Sequence, residues 1–183
     1  FRNYSGFTAE FSDKVNVIIG DNAQGKTNLI EAIHFLTAGR SFRAKADKDL
    51  IGFDKDNAYI GMQIRSSDRE QKLEAYLSRV KRRQFLANSV RLQAAAELSG
   101  KLRAVLFCPD DLDLIREGAA VRRRLMDICL CQIRPRYAMA LTEFNKLLDH
   151  KTRILRDYRE KPSLLYTLDD FDYRLAVTSA ELI

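Results

Sequence analysis

Hydrophobic and polar positions change their rhythm several times along the chain, and each change predicts an element. Phe7, Ala9 and Phe11 alternate with smaller or polar residues and predict a half-buried strand closed by Ser12-Asp13. Residues 15–19 form a short, almost wholly apolar, β-branched run, the pattern of a strand buried on both faces. A glycine-bounded loop follows, then helical spacing over 26–38 with Gly39 placed as a C-cap. From Asp56 to Asn88 the period falls to two: Ile60, Met62 and Ile64, then Leu73, Ala75 and Leu77, alternate with polar or small residues across a turn at Ser66-Ser67-Asp68. This predicts an antiparallel meander of three strands, the last over 83–87. Residues 91–98 read as a helix stopped at Gly100, and 104–107 as a short buried strand ended by Cys108-Pro109. From Val121 the pattern is helical. It restarts at Pro135, a residue suited to a helix's first turn, and runs to Arg159 or Glu160 with Pro162 beyond.

Composition adds limits. With 183 residues, 46% of them hydrophobic, the chain can bury a sizeable core. The pattern divides it into a lobe over 1–112, carrying the glycine loop and the meander, and the start of a helical subdomain over 113–183. Three Cys cannot make a disulfide framework, and no apolar run approaches the roughly 20 residues of a membrane span. The expectation is a cytoplasmic chain with no membrane partner. Lys and Arg outnumber Asp and Glu by 31 to 25, for a net charge of +6, which permits a polyanionic partner without selecting one. The first residue is Phe1 and the last, Leu182-Ile183, fall within an apolar helical pattern, so both ends are expected to be cut.

The chemistry lies in Gly20-Asp21-Asn22-Ala23-Gln24-Gly25-Lys26-Thr27, which fits G-x-x-x-x-G-K-[ST] without mismatch. Glycines let the backbone curl so that successive N–H groups point at phosphate oxygens. Lys26 is placed to reach the β- and γ-phosphates of ATP, and the Thr27 hydroxyl to ligate Mg²⁺. The competing reading is an ordinary glycine-containing turn between strand and helix. P-loops serve kinases, GTPases, motors and ABC-type ATPases alike. Here the loop's helix is followed by an antiparallel meander rather than a parallel strand, which is an ABC-type arrangement.

Further residues sharpen this. Phe1-Arg2-Asn3-Tyr4, the loop through Asn28, Gly39-Arg40-Ser41-Phe42-Arg43, the run from Val105 through Phe107-Cys108-Pro109-Asp110-Asp111 to Leu112, Arg122-Arg123-Arg124-Leu125-Met126-Asp127 and Tyr137 stand in order and with matching spacing. In these the chain resembles the RecF family of bacterial recombination mediators, SMC-like members of the ABC ATPases. The resemblance implies an α/β fold: an ABC-type P-loop ATPase head with an antiparallel β-meander lobe and a helical subdomain, incomplete at both ends. The family's Asn-Gly turn in the meander is Asn88-Ser89 here.

The resemblance also implies a function. Two full-length subunits would sandwich ATP and Mg²⁺ and form an ATP-controlled clamp on gapped or junction DNA. With RecO and RecR, that clamp would help load RecA. Slow DNA-dependent hydrolysis is expected of the full-length protein, whose signature and Walker B motifs are expected outside this chain. Arg43 stands where SMC-like relatives carry an Arg that faces the nucleotide across the dimer, and Arg2 where they place a residue near its phosphates. The alternative for Arg43 is a solvated basic turn. The alternatives for the whole are a small-molecule P-loop phosphotransferase or another SMC-like head.

Secondary candidates carry competing readings. Leu98-Ser99-Gly100 imitates an ABC signature but lacks its second Gly and Gln, and reads better as a helix end. The run from Leu164 to Asp170 imitates a Walker B strand, yet Leu164, Leu168, Phe171 and Leu175 recur at helical spacing. Asp110 and Asp111 occupy a Q-loop-like position or cap a helix from Leu112. Lys146, His150 and Arg153 share a helix face with Arg156 nearby, and Lys81-Arg82-Arg83 falls in the meander. Both are candidate DNA contacts or simply solvated faces. Arg122–Arg124 are candidates too, although Arg124 and Asp127 can pair at i, i+3. Cys129 and Cys131 are two apart on a helix and make no zinc site, and His34 reads as packed or on the surface rather than catalytic.

Overall fold

The computed structural model describes residues 1–66, 69–112, 116 and 118–183. They divide into two compact units, Phe1–Pro109 and Asp110–Ile183. In the first, helix α1 (Lys26–Ala38) packs against a four-stranded antiparallel sheet of β1 (Asn57–Ser66), β2 (Arg69–Ser78), β3 (Gln84–Ala87) and β4 (Val90–Arg91), in sequence order. α1 ends as its sequence predicts. Gly39 adopts the left-handed conformation and its N–H bonds to the Phe35 carbonyl at 2.9 Å.

The period-two pattern becomes register. Ile60 pairs with Ala75 and Met62 with Leu73 on the inner face. Phe35, Leu36, Leu50, Leu73, Leu77 and Leu98 are essentially fully buried, each contributing about 1.5–3 kcal/mol of burial free energy. Asn88 and Ser89 both take positive φ, 50° and 66°, between the paired Ala87 and Val90. That is the two-residue primed turn whose twist suits a hairpin, and an Asn followed by Ser makes it in place of Asn-Gly. Ser67 and Asp68, from the first predicted turn, lie outside the described residues.

Four expectations are corrected. Residues 7–11 and 15–19 form no strand, and Val15, Val17 and Ile19 are 79%, 76% and 88% exposed. Residues 104–107 form none either, with Val105 at 99% and Phe107 at 80%. A strand exists only as half of a pair, and the only sheet among the described residues is the meander, whose strands do not run beside these segments. The helix predicted over 91–98 is instead strand residue Arg91, a loop and one 3₁₀ turn, Ala95–Leu98. One turn is what so short a segment sustains, because helix nucleation is costly. Glu97 closes it, accepting the N–H groups of Gln93 and Ala94 at 2.9 Å each.

The second unit is helical. α2 (Ala119–Ile133) and α3 (Pro135–Asp157) meet at Pro135, the first residue of its helix, as expected. A 3₁₀ turn, Pro162–Thr167, leads into α4 (Leu168–Ala180), so the acidic run at Asp169-Asp170 opens a helix rather than ending a strand. α3 packs on α2 and α4, with Ala138 buried on one side of it and Ala140 and Leu147 on the other. Arg174–Glu143 (2.8 Å) and Lys151–Asp172 tie α3 to α4. Asp110 and Asp111 lie within a 3₁₀ turn, Pro109–Leu112. The helix expected from Leu112 falls mostly on 113–115 and 117, outside the described residues.

Candidate functional site

The glycine loop curls through positive φ at Gly20 (152°), Ala23 (66°) and Gly25 (102°) and opens directly into α1. A Cβ at Gly25 would come within 2.8 Å of Asn3 Oδ1 and 3.2 Å of the Tyr4 ring, so that position is glycine for both backbone and space. Asp21, Asn22, Ala23 and Gln24 are exposed. No side chain caps α1, so its first-turn N–H groups and the positive end of its dipole face the loop. The Lys26 ammonium curls back onto the loop, donating to the Gly20 and Asp21 carbonyls at 2.6 Å each. Thr27, one residue on, is exposed.

Residues 1–4 fasten onto this loop. Asn3 Nδ2 donates to the Gln24 carbonyl (3.4 Å) and the Tyr4 hydroxyl to the Gly25 carbonyl (3.1 Å). Asn28 is shared: its Nδ2 donates to Asn3 Oδ1 (2.8 Å), and its Oδ1 accepts from Arg43 Nη2 (2.6 Å). Beneath them sits a residue that the sequence reading missed. The Glu31 side chain is fully buried, and Arg2 grips it through two bonds, Nε at 2.8 Å and Nη2 at 2.7 Å. Arg43 Nη2 donates to the same carboxylate at 2.8 Å, and so does the Ser41 hydroxyl. Ser41 Oγ in turn accepts the N–H groups of Arg43 (2.9 Å) and Ala44 (2.7 Å), fixing the loop after α1.

Burial alone would raise the Glu31 pKa. The bonds from Arg2, Ser41 and Arg43 outweigh it and hold the carboxyl below its ordinary value. One carboxylate of α1 therefore balances two guanidiniums from outside it, those of Arg2 and Arg43, leaving one excess positive charge in the cluster. The signal was present: Glu31 lies four residues before the buried Phe35, hence on the core face of α1, and a charge there requires partners. Arg43 also lies 5.6 Å from the Phe42 ring centre, and His34 meets the same ring edge-on, centre to centre 5.5 Å. Burial pushes the His34 imidazole's pKa down, which keeps it neutral as a packing group.

These residues suit a nucleotide with Mg²⁺. The uncapped helix start and Lys26 would hold the phosphates, and the exposed Thr27 hydroxyl is available to the metal. Bound ATP supplies a phosphoanhydride whose cleavage can drive a change of state.

The remaining candidates sit elsewhere. Lys81 and Arg82 are exposed between β2 and β3, whereas Arg83 pairs with Asp47 (2.9 Å) and lies over the Phe85 ring. On α3, Lys146 lies 3.6 Å from Glu143, His150 stacks on Phe171, Arg153 is exposed and Arg156 bonds to Asp157. Asp127 accepts the Tyr137 hydroxyl at 2.6 Å, a bond that pushes the tyrosine pKa up to about 12, and no Arg124–Asp127 pair forms among the described residues.

Known proteins are similar to this chain. Residues 1–106 match the RecF/RecN/SMC N-terminal domain family. The DNA replication and repair protein RecF of Acetivibrio thermocellus is 38% identical over all 183 residues, which cover 50% of its own length. Two solved structures of the recombination mediator protein RecF in the RecFOR pathway, described as RecF-ATPrS and RecF-ATP, superpose with TM-scores of 0.86 and 0.84. They are 35% and 34% identical, over 95% of this chain and 47% of theirs. The chain thus spans about half the length of the relatives it matches. Their fold is the expected one, an α/β SMC-like ATPase head with a meander lobe and helices. The chain belongs to the RecF/RecN/SMC N-terminal domain family.

Proposed function

We propose that the chain is the nucleotide-binding half of a RecF-type DNA replication and repair ATPase of the bacterial cytoplasm. In this reading ATP and Mg²⁺ at Gly20–Asn28 control a homodimeric clamp on gapped or junction DNA, acting with RecO and RecR to assist RecA loading. The observation that carries it is the uncapped, glycine-bounded start of α1, with the Lys26 ammonium folded back onto the loop and Arg2 and Arg43 gathered on Glu31 beside it. The relatives' names, RecF-ATP among them, support the choice of nucleotide and of DNA repair. Arg43 is the candidate for a group that reaches a nucleotide's phosphates, because its guanidinium already bonds to Asn28, one residue past Thr27.

The residues divide the work. Lys26 neutralises phosphate charge, Thr27 offers the metal an oxygen, and Asn28 keeps Arg43 at the loop's edge. Lys26→Met in the full-length protein is expected to weaken ATP binding about a hundredfold, the scale of a lost charge-assisted contact, and to abolish ATP-dependent dimerisation on gapped DNA. Titration with a fluorescent ATP analogue and light scattering with and without DNA measure both. Dimerisation that survives the substitution would sink the clamp.

A further inference from the structure

The outer face of the meander carries a second constellation that the nucleotide site does not use. Tyr59 on β1 and Tyr76 on β2 are direct cross-strand partners whose ring centres lie 5.0 Å apart at 50°. They face away from the core, and the two residues are 49% and 44% exposed. Large aromatic surface left in solvent on a sheet is costly unless something covers it. Their position is built rather than incidental. Gly61 has no side chain, and a Cβ there would run into the Tyr59 hydroxyl, so the ring lies across the space where a neighbour's side chain would stand. Both hydroxyls are held on that same outer face: Glu74 Oε1 accepts from Tyr59 (2.9 Å) and Tyr76 (3.4 Å), and Lys72 pairs with the same oxygen (2.8 Å). The carboxylate is buried and neutralised, so it does not set a repulsive charge against an anion.

Around the rings is an open groove of about 360 Å³, lined among others by Asn57, Ser78, Lys81, Arg82 and Gln84. The volume suits one base with its sugar. Lys81 and Arg82 are exposed and enter no ion pair among the described residues, whereas Arg83 has turned away to Asp47. Aromatic faces with free cations at their rim, and amide groups between, are the chemistry that holds unpaired bases and their phosphates. A duplex offers no free base face to such a surface.

We propose that Tyr59 and Tyr76 form a stacking platform for single-stranded nucleic acid, with Lys81 and Arg82 holding the flanking phosphates. This rests on the reading of the protein as DNA-binding and names the single strand as what this face takes.

The test uses the full-length protein and a fluorescein-labelled twelve-residue oligothymidylate. Tyr76→Ala is expected to weaken binding about tenfold, while Tyr76→Phe, which keeps the ring, binds as the wild type does. The Lys81→Ala, Arg82→Ala double variant is expected to lower the slope of log affinity against log salt by about 1.4. Because an alanine variant can misfold, the wild-type protein is also crosslinked to the same oligonucleotide carrying 5-iododeoxyuridine, with adduct expected at Tyr59 or Tyr76. Unchanged affinity in Tyr76→Ala together with adducts elsewhere overturns the platform and leaves the DNA reading intact. Failure of the wild type to bind any DNA removes both. Equal adducts at these tyrosines with duplex DNA, or their burial by a second copy of the protein without DNA, also overturns the single-strand assignment.

Discussion

The two flanks of the glycine loop differ sharply. On its C-terminal side, α1 is capped by Gly39, packed on a paired sheet, and pinned by a buried carboxylate that holds two arginines. On its N-terminal side, 15–19 is almost wholly apolar yet lies bare, without a paired neighbour. Both sides carry apolar side chains; what differs is how the backbone is satisfied. A helix supplies its own hydrogen bonds, while a strand waits for a partner. The loop's shape is therefore secured from one side, by α1 and by residues 1–4 folding back over it.

The strongest way to break this contrast is to remove the pin. Glu31→Ala leaves Arg2 and Arg43 without their shared acceptor and is expected to cost about 3–5 kcal/mol, read as a drop in the urea midpoint at constant slope. A loss within experimental error would mean that the cluster does not hold the flank. Gly25→Ala forces a side chain into positive φ against Asn3 and is expected to cost about 1–3 kcal/mol and to weaken nucleotide binding. An alanine variant as stable as the parent, with full ATP affinity, would deny the close approach.

A smaller effect comes with pH. Glu31 is held below its ordinary value of 4.5, so its contribution is fully present above that pH. It is lost as the pH falls through the lowered value, where the folded carboxyl must take up a proton. Urea midpoints followed from pH 6 down to pH 3 are expected to fall less steeply for Glu31→Gln than for the parent; parallel curves would contradict the assignment. On the bare flank the expectation is near zero. Val17→Thr changes the stability of this chain by less than about 0.5 kcal/mol, because the side chain is already in water. A loss above 1 kcal/mol by thermal melting would mean that the flank is packed after all.

Much of the site was legible without coordinates. The loop, the limits of α1, the meander's inner face and the helix start at Pro135 all rest on patterns within a few residues, which is the range over which those structures are decided. Glu31 was overlooked because its meaning depends on Arg2, 29 positions earlier, and on Arg43, 12 positions later. The same distance hid Arg83, which the sequence grouped with Lys81 and Arg82 and the fold sends to Asp47, 36 positions away. The tyrosine pair escaped notice because alternation marks the residues facing inward and says nothing of what gathers on the opposite face.

The sequence by itself determined where the glycine loop lies, where its helix begins and ends, and which faces of the meander turn inward. Each follows from local torsions, capping and periodicity. Only the tertiary structure decided which of the apolar runs became strands, which arginines met the buried carboxylate, and which cations stayed free. Strand pairing and ion pairing join residues far apart in the chain, so no local pattern can specify them.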